Sequence, residues 1–326
     1  MHNRPVRFRG TEYPVLERFS TGGRSWLAVA KIGSAGRRAF QVFDPAARAM
    51  RALHVLPNND ATYQRIRALQ RLTQGDNEIL QIIEIHRQQN EIYIVLPWVD
   101  GFNLRSILLG IRDRGRPRIA TPEAVRLVKG LAHMLHHVHR HPQIIHGDIK
   151  PANLILTRRT SLVLIDYGNA WQVERTAMRL PGDAVSPVYA APELVRGDER
   201  VDSRADQFSL GVVLYEILTG RLPYDGHGGK VGLLPEAVRS RSCLIPASEL
   251  SPERKLLSPR IWKPVDSLLA TTLAIEANDR FATSGAWLDA WNTVMTEIKQ
   301  AKQRATPNNL LVRMIDWMDD RLNRAK

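Results

Sequence analysis

His146-Gly147-Asp148-Ile149-Lys150-Pro151-Ala152-Asn153, followed after a short apolar run by Asp166-Tyr167-Gly168, is the stretch on which the reading of this chain turns. It sets a carboxylate, an ammonium and a carboxamide within eight residues, directly ahead of the strand-like run Leu154–Leu156. A second such run, Leu162–Ile165, delivers Asp166, so a second carboxylate can reach the same space. Asn153 and Asp166 offer two oxygen donors. That suits a hard cation such as Mg2+, which takes one or two carboxylates together with phosphate oxygens. Asp148 then remains to act as a base. Taken singly, each of these residues is more often a turn or cap residue than a catalyst; the ordered set is what favours chemistry.

Upstream of this stretch the hydrophobic period is that of strands. Trp26–Ile32, Ala39–Phe43 and Arg51–Leu56 are short β-like runs separated by Gly-rich or Asp-Pro turns. Residues 60–72 have helical spacing, at Tyr63, Ile66, Leu69 and Leu72, and Ile79–Ile85 and Glu91–Leu96 read as two further strands. The expectation is a small five-stranded antiparallel sheet with one helix. After Asp100-Gly101 the pattern turns helical: Pro122–His139 carries Val125, Val128, Leu131 and Leu135, and Gln207–Leu218 is strongly apolar. The spacing therefore predicts an α+β chain, a small sheet unit followed by a larger, mainly helical one.

The 326 residues are 44% hydrophobic and 24% charged, enough for one large core or two smaller ones. A formal net charge of +13 would draw the chain toward anionic partners. The basic residues are scattered, however, with no aromatic-interleaved run or zinc spacing, so no specific nucleic-acid partner is expected. Cys243 is the only cysteine, which excludes an internal disulfide and fits a cytoplasmic setting. No run of about 18 apolar residues occurs, so no membrane span is expected.

The motif order HGDIKPAN, DYG and Ala191-Pro192-Glu193 resembles that of protein kinases. The likeness extends to Tyr189 within SPVYAAPE, to Asp206 in DQFSLGVVLYEILTGRLPY and to Arg280 in NDRF. Over roughly residues 25–295 the chain resembles eukaryotic-type serine/threonine kinases, bacterial members especially. The resemblance implies a bilobal kinase-like fold with ATP and Mg2+ as cofactors and a protein hydroxyl as substrate. It implies that Asp148 orients or deprotonates that hydroxyl, that Lys150 balances charge on the transferred phosphoryl, and that Asn153 and Asp166 hold Mg2+. Glu193 with Arg280 is implied to be a buried structural ion pair, and Asp206 to brace the catalytic loop. Ser186 falls where the family has a threonine near the catalytic aspartate, which favours serine/threonine specificity. Gly147 stands where many relatives carry an arginine that receives an activation-loop phosphate, so that switch is expected to be absent. Adenine is expected at Pro97-Trp98-Val99, through the Pro97 carbonyl and the Val99 amide.

The first unit departs from the family pattern. In the preferred register Ile32-Gly33-Ser34-Ala35-Gly36 is the phosphate-covering turn, with Gly33 and Gly36 near the phosphates, and Arg51–Pro57 is the lysine strand with His54 at the lysine position. In the other register Gly22-Gly23 forms the turn and Gln41 takes that position. Lys31 is a possible substitute cation. The partner glutamate is missing as well: Ala61–Leu72 contains none, and Arg65 stands nearest, either as a solvated helix residue or as a phosphate contact.

The domains are expected as 1–24, an N-terminal extension with a strand near Tyr13–Phe19; 25–99, the N-lobe; 100–300, the C-lobe; and 301–326, an amphipathic helical tail that could join a second copy or another partner. Three functions compete. One is a protein serine/threonine kinase with weakened activity, the preferred reading. The others are a pseudokinase that binds nucleotide or serves as a scaffold, and a small-molecule kinase, which the intact SPVYAAPE stretch disfavours.

Overall fold

The computed structural model describes residues 4–21, 23–32, 38–75, 80–115, 117–140, 144–172 and 186–302. The chain divides into two compact units, Met1–Val99 and Asp100–Lys326.

The first unit contains β1 (Val6–Phe8), β2 (Thr11–Tyr13), β3 (Glu17–Thr21), β4 (Arg24–Lys31), β5 (Arg38–Asp44), β6 (Ala49–Pro57), α1 (Asp60–Thr73), β7 (Glu84–Arg87) and β8 (Glu91–Pro97). The β1–β2 hairpin lies beside an antiparallel sheet of order β3-β4-β5-β6-β8-β7. The sheet thus holds six strands instead of the expected five. The sixth is β3, which the sequence reading left in the N-terminal extension. The run Ile79–Ile85 is also shorter as a strand than expected, since β7 starts only at Glu84.

Alternation along β6 assigns the two faces of this sheet. Leu53 and Val55 join Phe19, Trp26, Phe40, Val42, Tyr93 and Val95 in one core. Ala52 and Leu56 turn the other way, onto a core of Ile66, Ile92, Ile94 and Leu96 that includes α1. Period 2 in the strand and period 3.6 in the helix meet there. Each fully buried aliphatic side chain in such a core contributes roughly 1.5–3 kcal/mol. The helix begins where Asn59 accepts a hydrogen bond from the Thr62 amide at 2.7 Å, with Asp60 in the first turn to suit the helix dipole.

The second unit contains β9 (Gly101–Asn103), α2 (Leu104–Arg114), α3 (Thr121–Arg140), β10 (Ile144–Ile145), β11 (Leu154–Thr157), β12 (Leu162–Leu164), β13 (Trp171–Gln172), α4 (Pro192–Arg196), α5 (Arg204–Thr219), α6 (Glu236–Arg239), α7 (Ala247–Leu250), α8 (Pro259–Thr272) and α9 (Ser284–Lys302). Its helical scaffold is centred on α5, buried almost all round from Ala205 to Thr219, the signature of a helix inside a core. α3 packs on both α5 and α9, and Trp287 and Trp291 of α9 meet edge to face. Two small sheets sit on this scaffold. One has order β12-β11-β9, and the other pairs β10 with β13.

Candidate functional site

The site in the second unit is assembled by short-range bonds. Asn153 ends a helical turn whose amide bonds to the Lys150 carbonyl, and β11 and β12 then pair with Leu154 opposite Leu164. The Ile165 amide donates to the Asn153 carbonyl at 2.9 Å. Asn153 and Asp166 therefore stand at the same end of one hairpin. Asp166 adopts φ 65° and ψ 70°, a left-handed conformation uncommon for a residue with a side chain, and accepts a 3.2 Å hydrogen bond from the Gly168 amide. The hairpin thus fixes a carboxylate in a backbone state that free chains rarely hold.

Asp148 is buried, 4% exposed, and its carboxylate is gripped from two sides. Lys150 Nζ donates to Oδ1 at 2.9 Å and to Oδ2 at 2.7 Å, and Asn153 Nδ2 donates to Oδ2 at 3.1 Å and to the Asp148 carbonyl at 2.8 Å. Both partners of Nδ2 are acceptors, which settles the orientation of the Asn153 amide. Its Oδ1 is the atom that can face a cation. Lys150 Nζ also donates to Ser186 Oγ at 2.7 Å, so Ser186 reaches Asp148 through the ammonium group.

Beneath the loop, fully buried Asp206 on α5 accepts hydrogen bonds from the amides of His146, at 2.8 Å, and Gly147, at 2.9 Å. His139 Nε2 lies 2.9 Å from the same carboxylate. Burial alone would raise the Asp206 carboxyl; the His139 bond and charge, His146 and the Gly147 amide outweigh it and hold the group below the carboxylate range. Burial pushes His146 the other way, below ordinary histidine, against the pull of Asp206, Asp148 and Asp166. The His146 ring also meets Tyr167 edge-on at 4.8 Å. Farther off, Arg280 makes a bidentate pair with Glu193 at 2.7 and 2.8 Å, and its remaining donors reach the carbonyls of Arg204, Ala274 and Ile275.

Sequence reasoning missed two participants. His139 had a signal, because it lies four residues after Leu135 on the buried face of α3. Trp171, packed against Gly147, had none beyond its closeness to Asp166.

Among the described residues no group of three or more His, Cys, Asp or Glu side chains gathers to hold a metal ion by itself. One carboxylate and one amide oxygen at the hairpin end fit a Mg2+ that draws its other ligands from phosphate and water.

The first unit presents two of its candidate residues, His54 and Gln41, on one sheet face. His54 lies opposite Ala39 and Ile94, on the side of the pleat that carries Ala52 and Leu56 toward α1. Gln41, opposite Ala52, shares this face but sits on β5, whereas β6 leads directly into α1. Lys31 pairs with Phe40, whose ring belongs to the opposite core, and is itself exposed. The pleat directs it away from His54. Arg65 is 6% exposed, which overturns the solvated-helix expectation: it lies on the buried side of α1 beside Ile66 and Leu69. Pro97, opposite Arg51, closes β8, and Val99 follows. Gly33 and Gly36 lie outside the described residues, as does the tail beyond residue 302.

Comparison with known proteins gives the family of the chain. The family model for the protein kinase domain matches residues 46–292. The chain is 29% identical over 296 residues to the tyrosine-protein kinase MasK of Myxococcus xanthus, covering 87% of this chain and 43% of that protein. It is 32% identical over 195 residues to the serine/threonine-protein kinase PknB of Mycolicibacterium smegmatis, covering 59% of this chain and 28% of that protein. The chain thus spans less than half the length of these relatives. The crystal structure of the PknI kinase domain of Mycobacterium tuberculosis superimposes with a TM-score of 0.59 at 24% identity, covering 84% of this chain and 96% of that one, and shows the shared fold. The chain belongs to the protein kinase domain family.

Proposed function

We propose that the chain is an ATP-dependent protein kinase that transfers the γ-phosphoryl group to serine or threonine hydroxyls of a protein substrate. The observation that carries this reading is the grip on Asp148: one buried carboxylate held by Lys150 and Asn153, in a loop pinned from below by Asp206. Phosphoryl transfer asks for positioning and electrostatics more than for covalent chemistry. Asp148 accepts the hydrogen bond of the incoming hydroxyl and takes its proton as the new O–P bond forms and the bond from the γ-phosphorus to the bridging oxygen breaks, with ADP as the leaving group. Lys150, in contact with Asp148 and Ser186, places a positive charge beside the group in flight. Asn153 Oδ1 and the Asp166 carboxylate are the ligands for Mg2+, which when bound neutralises charge on the phosphate oxygens. In the first unit, Pro97 and Val99 are proposed for adenine, Gly33 and Gly36 for the phosphate-covering turn, and His54 for the lysine position. The passage of β6 straight into α1 favours His54 over Gln41.

A specific observation keeps a second reading, the pseudokinase. In the register proposed here His54 takes the place of the family's lysine and the buried Arg65 that of its glutamate, and losing one preorganised electrostatic contact costs about 3–4 kcal/mol in rate. Two measurements separate the readings: thermal-shift titration of ATP with and without Mg2+, and radiolabel transfer by wild type and Asp148→Asn. A Mg2+-dependent shift with transfer above the Asp148→Asn background supports the kinase. A shift without transfer supports the pseudokinase. Because MasK is named a tyrosine kinase, phosphoamino-acid analysis of the product tests the hydroxyl specificity.

A further inference from the structure

Gly147 is held in a conformation that its neighbours leave no room to decorate. Its φ is +71°, a left-handed state that glycine adopts without strain, and its amide is committed to Asp206. A Cβ built there would meet Trp171 Cζ3 at 2.2 Å and Cη2 at 2.9 Å. The indole therefore lies directly against the α-carbon next to Asp148. Trp171 is 4% exposed, and its backbone pairs with Ile145 across β10 and β13. It follows Asp166 by five residues. One aromatic side chain thus touches the loop that carries the proposed base, from the segment that starts at the proposed metal ligand.

We infer that Trp171 is a positioning residue that clamps the backbone at Gly147 and thereby aims the Asp148 carboxylate. The inference rests on the kinase reading for its effect on rate, but the clamp itself rests on geometry alone. It acts by packing. Position 147 carries no side chain, and the space beside it is filled by a ring, so the clamp offers no charge to a phosphate and needs none. A bulky, buried ring with few rotatable bonds suits the task, because small misplacements of a base are costly in phosphoryl transfer.

The test uses Trp171→Ala, Trp171→Phe and Gly147→Ala in the full chain, read by steady-state kinetics and by amide hydrogen exchange. Trp171→Ala is expected to lower kcat about 10- to 100-fold while KM for ATP stays within about threefold. Exchange in the peptide covering residues 144–153 should rise by about tenfold or more, while peptides from α9 keep their protection. Trp171→Phe should recover most of both. Because Gly147→Ala breaks the same contact, Trp171→Ala combined with Gly147→Ala should lose less than the sum of the two single variants. The inference is overturned if Trp171→Ala leaves kcat and local exchange at wild-type values, or if exchange rises uniformly through the second unit, the mark of a merely structural ring. If Trp171→Ala does not fold, Trp171→Phe and Gly147→Ala carry the same comparison. A wild type that transfers nothing above Asp148→Asn would sink the kinase reading alone, and exchange would still decide the clamp.

Discussion

Across residues 144–172, each polar group proposed for chemistry is tied to a neighbour only a few positions away or to one buried anchor on α5. Across β6 and α1, by contrast, the two positions proposed to align a nucleotide hold His54 and Arg65, on consecutive elements that meet by the packing of a helix on a sheet. The difference teaches that a locally bonded cluster and a strand–helix pair are constrained in different ways. The Asp148–Lys150–Asn153 cluster is local, so losing any member leaves a buried charge or amide without its partner, at a cost to folding as well as to rate. A lysine–glutamate pair spanning strand and helix is different, because replacing both partners together leaves no orphaned charge of the original pair.

The sharpest way to break this comparison is to remove the proposed base. Asp148→Asn is expected to cut phosphoryl transfer by about 100-fold or more while ATP with Mg2+ still raises the melting temperature, since the substitution spares the proposed nucleotide contacts. Loss of the thermal shift together with transfer would mean that Asp148 acts in binding.

Next comes the scaffold under the same region. Arg280 and Glu193 have side chains 0% and 6% exposed, so Glu193→Gln leaves a buried guanidinium short of its counter-ion. Removing one partner of such a pair costs about 3–5 kcal/mol, to be read in urea unfolding as a lower midpoint with unchanged slope. A loss near zero would show that the pair is solvated in solution.

The other region is sharpened by restoring what it lacks. His54→Lys combined with Arg65→Glu should raise kcat/KM for ATP by about 10- to 100-fold, and either single change should give much less, because the gain belongs to the pair. Kinetic constants of the four proteins in one cycle decide it. No gain in the double variant would place the rate limit elsewhere.

The smallest expected effect is a pH slope. Burial holds His146 neutral, below its ordinary value of 6.5, so the unfolded chain takes up a proton that the folded chain refuses. The stability this gives is fully present above pH 6.5 and is lost as pH falls below it. His86 and His136 are pushed down too, chiefly by burial, so His146→Gln should flatten the acid limb of a stability–pH curve without abolishing it. An unchanged limb would show that His146 does not contribute.

What the sequence made legible follows the same division. Asp148, Lys150, Asn153 and Asp166 could be picked out because their geometry is set by short spacings and one hairpin, and the structure brings the first three into direct contact. β4, β5, β6, α1 and α3 were readable from period alone, within a residue or two at their ends. β3 was misplaced because strand membership depends on a partner, here Arg24–Lys31, and not on the run itself. The burial of Arg65 was equally invisible: a charged residue on a helix reads as solvated until the sheet beneath it is known. Trp171 against Gly147 is a contact between residues 24 positions apart, and no pattern in either stretch announces it. Among the described residues no helix is long and apolar enough to cross a membrane.

The central claim is that the catalytic loop is competent although the nucleotide-positioning pair has been replaced. Its most direct test is γ-phosphate transfer from radiolabelled ATP at saturating Mg2+, measured side by side for wild type, Asp148→Asn and the His54→Lys, Arg65→Glu double variant. The expected order is almost nothing for Asp148→Asn, a clear signal for wild type and a larger one for the double variant. Wild type indistinguishable from Asp148→Asn, with the double variant equally silent, would contradict it.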